Sequence, residues 1–190
     1  MKQGRLIVVS APSGCGKGTI LGRVLEDKER FYYSVSCTTR APRAGEIDGV
    51  HYHFLTRERF EALIAEDAFL EHAEYNHNYY GTLRAPIDEH MAAGQDVILE
   101  IEVKGASQIR ALRPDASLIF IVPPSIDVLR ERLINRGTEE RDVIEQRVAL
   151  AAEELQYAPD YDYVVVNDDL DTAIADFCAV VRAVELKNIK

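Results

Sequence analysis

Two kinds of hydrophobic pattern run along the chain. Continuous apolar runs, typical of strands buried on both faces of a parallel sheet, occur at Leu6–Val9, Val97–Ile101, Leu118–Val122 and Tyr163–Val166. Stretches with helical spacing lie between and after them, at Thr19–Leu25, Val103–Leu112, Ile126–Ile134, Glu139–Gln156 and Leu170–Leu186. Strands that alternate with helices in this way predict an α/β fold with a parallel sheet flanked by helices.

The region between Tyr33 and Thr82 has a different pattern. Polar and apolar residues alternate in "YYSVSCTT", "VHYHFL" and "FLEHAEY". Alternation is typical of strands with one face on a core and the other in solvent. This region therefore predicts a small mixed or antiparallel sheet with one helix, at about Arg57–Glu66, inserted after the first strand–helix unit.

Composition narrows the class of protein. A chain of 190 residues should form one compact unit. Its net charge of −10 argues against a protein that coats nucleic acid by bulk positive charge. It contains no apolar run of the length that spans a membrane, so we expect no membrane partner. Cys15, Cys37 and Cys178 are scattered and lack metal-ligand spacing, which favours reduced thiols and a cytoplasmic protein.

The first predicted strand runs directly into a glycine-rich turn. The stretch "IVVSAPSGCGKGT" resembles the phosphate-binding pattern G-x-x-x-x-G-K-[ST], but Ala11 replaces the first glycine and Gly18 replaces the hydroxyl residue. A strand, such a turn and then a helix would surround phosphate with backbone N–H groups and the ammonium of Lys17. The alternative is a glycine-rich turn with a solvated lysine. The residues predicted to bind ATP here are Ala11, Pro12, Ser13, Gly14, Cys15, Gly16, Lys17, Gly18 and Thr19.

Further motifs follow in order along almost the whole chain. They are "SVSCTTRAPRAGEIDGVHY", "FLEHAEYNHNYYGT", "LEIEVKGASQIR", "FIVPPS", "RGTEE" and "VVNDDLD". Together with "SAPSGCGKGT" they resemble the guanylate kinases. The resemblance implies transfer of the γ-phosphoryl group of ATP to GMP, and to dGMP, giving ADP and GDP with Mg²⁺ as cofactor. Such an enzyme serves purine nucleotide recycling and GTP supply, as a monomer or homodimer.

The resemblance also implies a division of the single domain. A P-loop kinase core would comprise residues 1–32, 96–125 and 157–190. A GMP-binding insertion would occupy residues 33–95, and a mobile lid with its supporting helices residues 126–156.

The resemblance assigns a set of side chains to GMP. Arg40, Arg43, Tyr52 and Tyr80 match the residues that bind the acceptor phosphate, and their guanidinium forks and hydroxyls suit phosphate. Glu71 would accept the paired N1–H and N2–H₂ donors of guanine, whereas Ser36 and Thr82 would address its O6/N7 edge. Glu46 is also assigned to the GMP site. Without the resemblance, the alternative for these residues is a pair of solvated arginines, packed tyrosines and a solvated glutamate.

The lid and the adenine side contribute further predictions. Arg132, Arg136 and Arg147 match lid arginines that stabilise the transferred phosphoryl group together with Lys17 and Arg40. Spacing alone does not separate them from arginines on solvated helix faces. Asn167 and Asp168 match a segment near the adenine base.

The metal prediction rests on "EIE". Glu100 and Glu102 lie two positions apart, so both would point to the same face of an extended segment at a strand's carboxyl end. We expect them to hold Mg²⁺ through water, with ATP oxygens completing its shell, and to border GMP. The alternative is two solvated acids at a strand end.

Two other functions remain at this stage. A guanylate-kinase-like binding module would keep the fold without catalysis, which the presence of Lys17 and the arginines disfavours. A kinase for another nucleoside monophosphate is disfavoured by Glu71 with Ser36 and Thr82.

Overall fold

The core of the protein is a five-stranded parallel sheet. In the computed structural model, which describes residues 3–25, 30–75, 77–135, 137 and 140–187, the strand order is β2-β7-β1-β8-β9. The strands are β1 (Leu6–Ser10), β2 (Phe31–Tyr33), β7 (Asp96–Glu100), β8 (Ser117–Val122) and β9 (Tyr163–Val166). Strand β1 pairs with β7 on one side and β8 on the other, so ligands are expected beyond its carboxyl end.

Helices cover both faces of this sheet. They are α1 (Lys17–Val24), α3 (Arg84–Ala92), α4 (Val103–Leu112), α5 (Ile126–Asn135), α6 (Arg141–Glu154) and α7 (Leu170–Leu186), with a short 3₁₀ helix at Leu155–Asp160. One buried layer joins the sheet to α1 and α7, and a second joins it to α3 and α4. Within the described residues, no helix is both long and apolar enough to cross a membrane.

A second sheet of four strands lies between β2 and α3 in the chain. Its order is β4-β3-β6-β5, with β3 (Cys37–Thr38) parallel to β4 (His53–Phe54) and antiparallel to β6 (Asn78–Leu83). Strand β5 (Phe69–Tyr75) pairs antiparallel with β6, and α2 (Arg57–Ala65) supplies Phe60, whose ring stacks on Phe69 at 4.3 Å. The second sheet and α2 thus share a small hydrophobic core of their own.

Most predicted elements are confirmed, but two differ. The structure shows the four predicted core strands, the predicted helices and the mixed second sheet, with bounds shifted by no more than a few residues at either end. The alternating stretch that begins at Tyr32 was expected to start the second sheet. Instead, Phe31–Tyr33 forms β2, an edge strand of the core sheet, and an edge position explains its half-buried pattern. Helix α3 was not predicted, because Pro86 argues against a helix in this segment. Pro86 lies in the first turn of α3, where backbone N–H groups have no partner within the helix, so the N–H that proline lacks is not needed there.

Candidate active site

The glycine-rich turn forms a loop over the amino end of α1. Gly14 and Gly16 have φ values of 95° and 82°, which lie in the region that favours glycine. Helix α5 supports the loop, because a Cβ on Gly14 would stand 2.9 Å from a methyl carbon of Leu133. Residues Ala11–Thr19 all line a cavity of about 820 Å³ above the loop. The structure thus brings together every residue that the sequence assigned to the phosphate loop.

Asn167 holds this loop in place from the far side. It follows β9, is buried, and its side-chain Nδ2 donates to the carbonyl oxygen of Cys15 at 2.8 Å. A Cβ on Gly16 would stand 2.5 Å from the same nitrogen, so only glycine at position 16 lets the loop come this close to Asn167. Asn167 was predicted to lie near adenine; the structure adds that its amide positions the phosphate loop.

A cavity of about 410 Å³ lies beside the contact between Asn167 and the phosphate loop. Arg132 of α5 crosses it and donates to the backbone carbonyls of Asn167 at 2.7 Å and Asp168 at 2.9 Å. Gly14, Gly16, Thr19 and Leu170 also line the cavity. Arg132 therefore joins the loop–helix region to the segment after β9, next to the phosphate loop.

Lys17 meets a carboxylate at the end of β7. Its Nζ lies 3.5 Å from Oε1 of Glu100, and both side chains are largely shielded from solvent. The hydroxyl of Tyr33 donates to the other oxygen, Oε2, of the same carboxylate. Burial and the charge of Glu100 raise the pKa of Tyr33 above its usual range, so the phenol remains a donor. Glu100 thus has one partner on each oxygen.

A cavity of about 320 Å³ lies between the two sheets. It gathers most of the residues predicted for the acceptor nucleotide together with Lys17. Its lining includes Ser13, Lys17, Ser36, Arg40, Arg43, Tyr52, Glu71, Tyr75, Tyr80, Glu100, Glu102 and Gly105. The arrangement places a buried acid, an arginine pair and the phosphate-loop lysine around one cavity.

Glu71 on β5 is the buried acid, with 5% of its surface exposed. Thr82 of β6 donates its hydroxyl to Oε1 at 2.6 Å, and Gly105 of α4 leaves room for Oε2, which would stand 2.4 Å from a Cβ there. Burial raises the pKa of Glu71 to about 7, although the bond from Thr82 opposes this. Thr82 itself is fully buried and is not among the lining residues. Its hydroxyl donates to Glu71 in this structure, so Thr82 orients this acid.

Arg40, which lines the same cavity, is oriented by a glutamate. Glu46 accepts from both terminal nitrogens of its guanidinium, at 2.8 and 3.0 Å, and also from the backbone N–H of Arg43 at 2.6 Å. These bonds lower the pKa of Glu46 to about 2, so it stays ionised. Glu46 lines the neighbouring cavity and not the one that contains Glu71. Glu46 therefore orients the side chain of Arg40 and binds the backbone of Arg43.

Helix α6, which belongs to the predicted lid region, contacts the phosphate loop. Arg147 donates to the hydroxyl of Ser13 at 2.6 Å. Glu154, at the end of the same helix, lines the 820 Å³ cavity, and its Oε2 is buried with no hydrogen-bond partner among the described residues. Burial, with the charge of Glu102 next, raises the pKa of Glu154 to about 7. Arg136, predicted as a third lid arginine, lies outside the described residues.

Carboxylates near Lys17 fit a hydrated divalent cation. Glu102 lines both large cavities at the phosphate loop, and Glu154 lines the larger of the two. Oxygen ligands and retained waters are what Mg²⁺ prefers. No atom of the described residues lies within 4 Å of a Cβ built on Gly18, so these residues leave space where a loop hydroxyl would stand. Within the described residues, no three His, Cys, Asp or Glu side chains cluster closely enough to hold a metal ion directly, so these carboxylates suit only contacts to Mg²⁺ through water.

Three positioning residues were missed from the sequence: Tyr33, Gly105 and Glu154. Tyr33 and Glu154 gave no motif signal of their own. Gly105 was visible as a glycine early in a predicted helix, where glycine is unfavourable without a packing reason.

Comparison with known proteins agrees along the whole chain. The model of the guanylate kinase family, "Guanylate kinase", matches residues 3–184. The chain is 50% identical over 187 residues to a guanylate kinase of Carboxydothermus hydrogenoformans, covering 98% of this chain and 92% of that protein. It is 53% identical over 172 residues to a guanylate kinase of Synechocystis sp., covering 90% of each. The crystal structure of a guanylate kinase from Anaplasma phagocytophilum matches with a TM-score of 0.82 and 33% identity, covering 98% of this chain and 89% of that chain.

Proposed function

The chain belongs to the guanylate kinase family, and on that premise we propose how its residues share the transfer of a phosphoryl group from ATP to GMP. The protein is a nucleoside monophosphate kinase that phosphorylates GMP with ATP, giving GDP and ADP. The observation that carries the residue assignment is the cavity between the sheets, which Glu71, Arg40 and Lys17 all line.

Glu71 selects guanine. Guanine presents N1–H and N2–H₂ side by side, and a carboxylate accepts from both at once. Adenine lacks this pair of donors. The fixed position of Glu71 between Thr82 and Gly105 supports the assignment, because a preoriented buried acceptor strongly rejects a base that leaves it unpaired.

The phosphate of GMP binds at the arginine side of the cavity. Arg40 and Arg43 supply charge, and Tyr52 and Tyr80 supply hydroxyls, all on the lining of the same volume. Because the second pKa of a phosphate monoester is about 6, this phosphate is a competent nucleophile near neutrality without a catalytic base. Ser36 lines the same cavity and borders the base.

ATP binds on the phosphate loop. The backbone N–H groups of residues 13–19 and the amino end of α1 surround its phosphates, and Lys17 neutralises charge on the β- and γ-phosphates. Arg132 and the segment Asn167–Asp168 border the adenosine in the 410 Å³ cavity. The support that Asn167 gives to Cys15 keeps the loop in its binding shape.

The residues near Lys17 also suit the family's metal. We assign Glu102, Glu100 and Glu154 to the water shell of Mg²⁺, with ATP oxygens as its direct ligands. When bound, Mg²⁺ would neutralise phosphate charge and orient the γ-phosphoryl group.

Transfer itself depends on position and charge. The transition state is loose and carries its charge on the equatorial oxygens, so Lys17, Arg40, Arg132 and Arg147 act by electrostatic stabilisation. Arg136 is assigned to the same group on the resemblance alone. Two bound nucleotides would draw the lid, residues 126–156, over the core, because cations of both parts would then share the phosphates. Solution scattering with a bisubstrate adenosine–guanosine polyphosphate should show a smaller radius of gyration, and an unchanged radius would contradict closure.

Several finer properties remain proposals. We assign dGMP as a second acceptor, because none of the base contacts above involves the 2′-hydroxyl, and we place the enzyme in the cytoplasm as a monomer or homodimer. Competition of dGMP with GMP, cell fractionation and light scattering test these assignments.

A coupled ADP-release assay with GMP, AMP, CMP and UMP tests the function. Only GMP should support rapid turnover, and Lys17→Ala should lower kcat by on the order of 10² or more while the protein stays folded. Equal rates with AMP, or near-normal turnover in Lys17→Ala, would contradict the assignment.

A further inference from the structure

Two core strands bring a tyrosine next to the ion pair of the phosphate-loop lysine. Strands β2 and β7 pair in parallel with Tyr33 opposite Ile98. Because residues two apart in a strand share a face, Ile98 and Glu100 point the same way, and Tyr33 reaches Glu100 diagonally. Its hydroxyl donates to Oε2, and Lys17 faces Oε1 at 3.5 Å. One carboxylate thus links an edge strand of the core sheet to the phosphate loop.

The geometry points to Tyr33 as a positioning residue for ATP binding, one that keeps Glu100 partnered when Lys17 moves from this carboxylate to the phosphates of ATP. The inference rests on the proposed role of the phosphate loop. Tyr33 contacts neither substrate in this scheme and acts through Glu100.

The physical reason is a competition for Lys17. Before ATP binds, Glu100 has two donors, and Lys17 must loosen one of these contacts to reach phosphate. A partly buried carboxylate without a donor is costly, so removal of the tyrosine hydroxyl leaves Lys17 as the remaining described partner of Glu100 and makes its release harder. Burial and the charge of Glu100 raise the pKa of Tyr33 above its usual range, so this donor does not titrate near neutrality.

Tyr32 provides a matched control one position away on the same strand. Its ring stacks on His90 at 3.6 Å and packs against the opposite layer of the core. Tyr32→Phe and Tyr33→Phe remove the same atom from neighbouring residues, and only the second removes a partner of Glu100. Glu100→Ala removes the acceptor itself.

The experiment measures binding of a non-hydrolysable ATP analogue by calorimetry, with and without Glu100. Tyr33→Phe should raise the Kd of the analogue about three- to tenfold in the wild-type background, since the lost bond involves a charged acceptor. In the Glu100→Ala background the same substitution should change the Kd less than about twofold. Tyr32→Phe should leave the Kd unchanged, and thermal unfolding should show that each variant is folded.

Two results would overturn the inference. One is an unaltered Kd in Tyr33→Phe. The other is an equal rise with and without Glu100, which would mean that Tyr33 acts by packing alone. Failure of the wild-type protein to bind the analogue at all would instead contradict the proposed role of the phosphate loop, so the two failures are distinguishable.

Discussion

Gly105 of helix α4 lies against the carboxylate of Glu71, so close that a Cβ on Gly105 would stand 2.4 Å from Oε2. The glycine is buried within the first turn of α4, where its usual helix penalty would argue against it. The reason for a glycine at this position is its contact with Glu71 on strand β5. The absence of one methyl group allows the acid to occupy the cavity floor.

Gly105→Ala should therefore displace Glu71 and weaken GMP use. We expect kcat/KM for GMP to fall by about 10- to 100-fold, because the base loses a correctly placed acceptor, and KM for ATP to stay the same. Gly22→Ala is the matched control, since a Cβ on Gly22 of α1 meets nothing within 4 Å. Steady-state kinetics with each substrate varied will separate the two effects. An equal loss for both nucleotides would show a general defect and contradict the specific role.

Sequence patterns predicted the core strands and helices because continuous apolar runs and helical spacing can be read from a short stretch of sequence. The resemblance located Glu71, Arg40 and Lys17 as a group. The supporting contacts could not be predicted, because they join residues that are distant in the chain. Asn167 and Cys15 lie 152 positions apart, and Tyr33 and Glu100 lie 67 apart. Such pairs depend on strand order and on the fit of individual side chains, which periodicity does not encode.

GMP affinity should depend on pH through Glu71. Burial raises the pKa of Glu71 to about 7, and only the ionised form accepts two donors from guanine. The Kd of GMP should therefore rise as pH falls below about 7, with a slope that approaches about tenfold per pH unit. Above about pH 8 the Kd should be constant. Calorimetry between pH 5.5 and about 8.5 measures this.

The phosphate of GMP also titrates, near pH 6, and requires a control. Glu71→Gln removes the carboxyl titration and keeps that of the ligand. Its pH profile should contain only the transition near pH 6. Superimposable profiles of the two proteins would contradict the role assigned to the ionised acid.

Gly18 leaves open space where a loop hydroxyl would otherwise stand. Gly18→Ser should supply an additional oxygen ligand and tighten Mg²⁺-dependent binding of ADP by about fivefold, equivalent to about 1 kcal/mol. Gly22→Ser, on the exposed side of the same helix, should leave it unchanged. Calorimetric titration of ADP at several Mg²⁺ concentrations tests this. A Gly18→Ser protein with the wild-type Mg²⁺ dependence would show that no metal ligand belongs at this position.

Recognition of guanine by Glu71 is the central claim, and IMP tests it because hypoxanthine lacks the N2 amino group of guanine. Replacement of Glu71 by Gln keeps shape but alters the acceptors. Thr82 donates to Oε1 of Glu71, so the glutamine would direct its oxygen to Thr82 and its NH₂ toward the donors of guanine.

The decisive measurement is the ratio of kcat/KM for GMP to that for IMP, in the wild-type enzyme and in Glu71→Gln. The wild-type enzyme should prefer GMP by about 10- to 100-fold, the value of a hydrogen bond to a buried charged acceptor. In Glu71→Gln, this preference should shrink to within about threefold, because the amino group no longer meets an acceptor. An undiminished preference for GMP in Glu71→Gln would contradict the claim that this carboxylate reads the base.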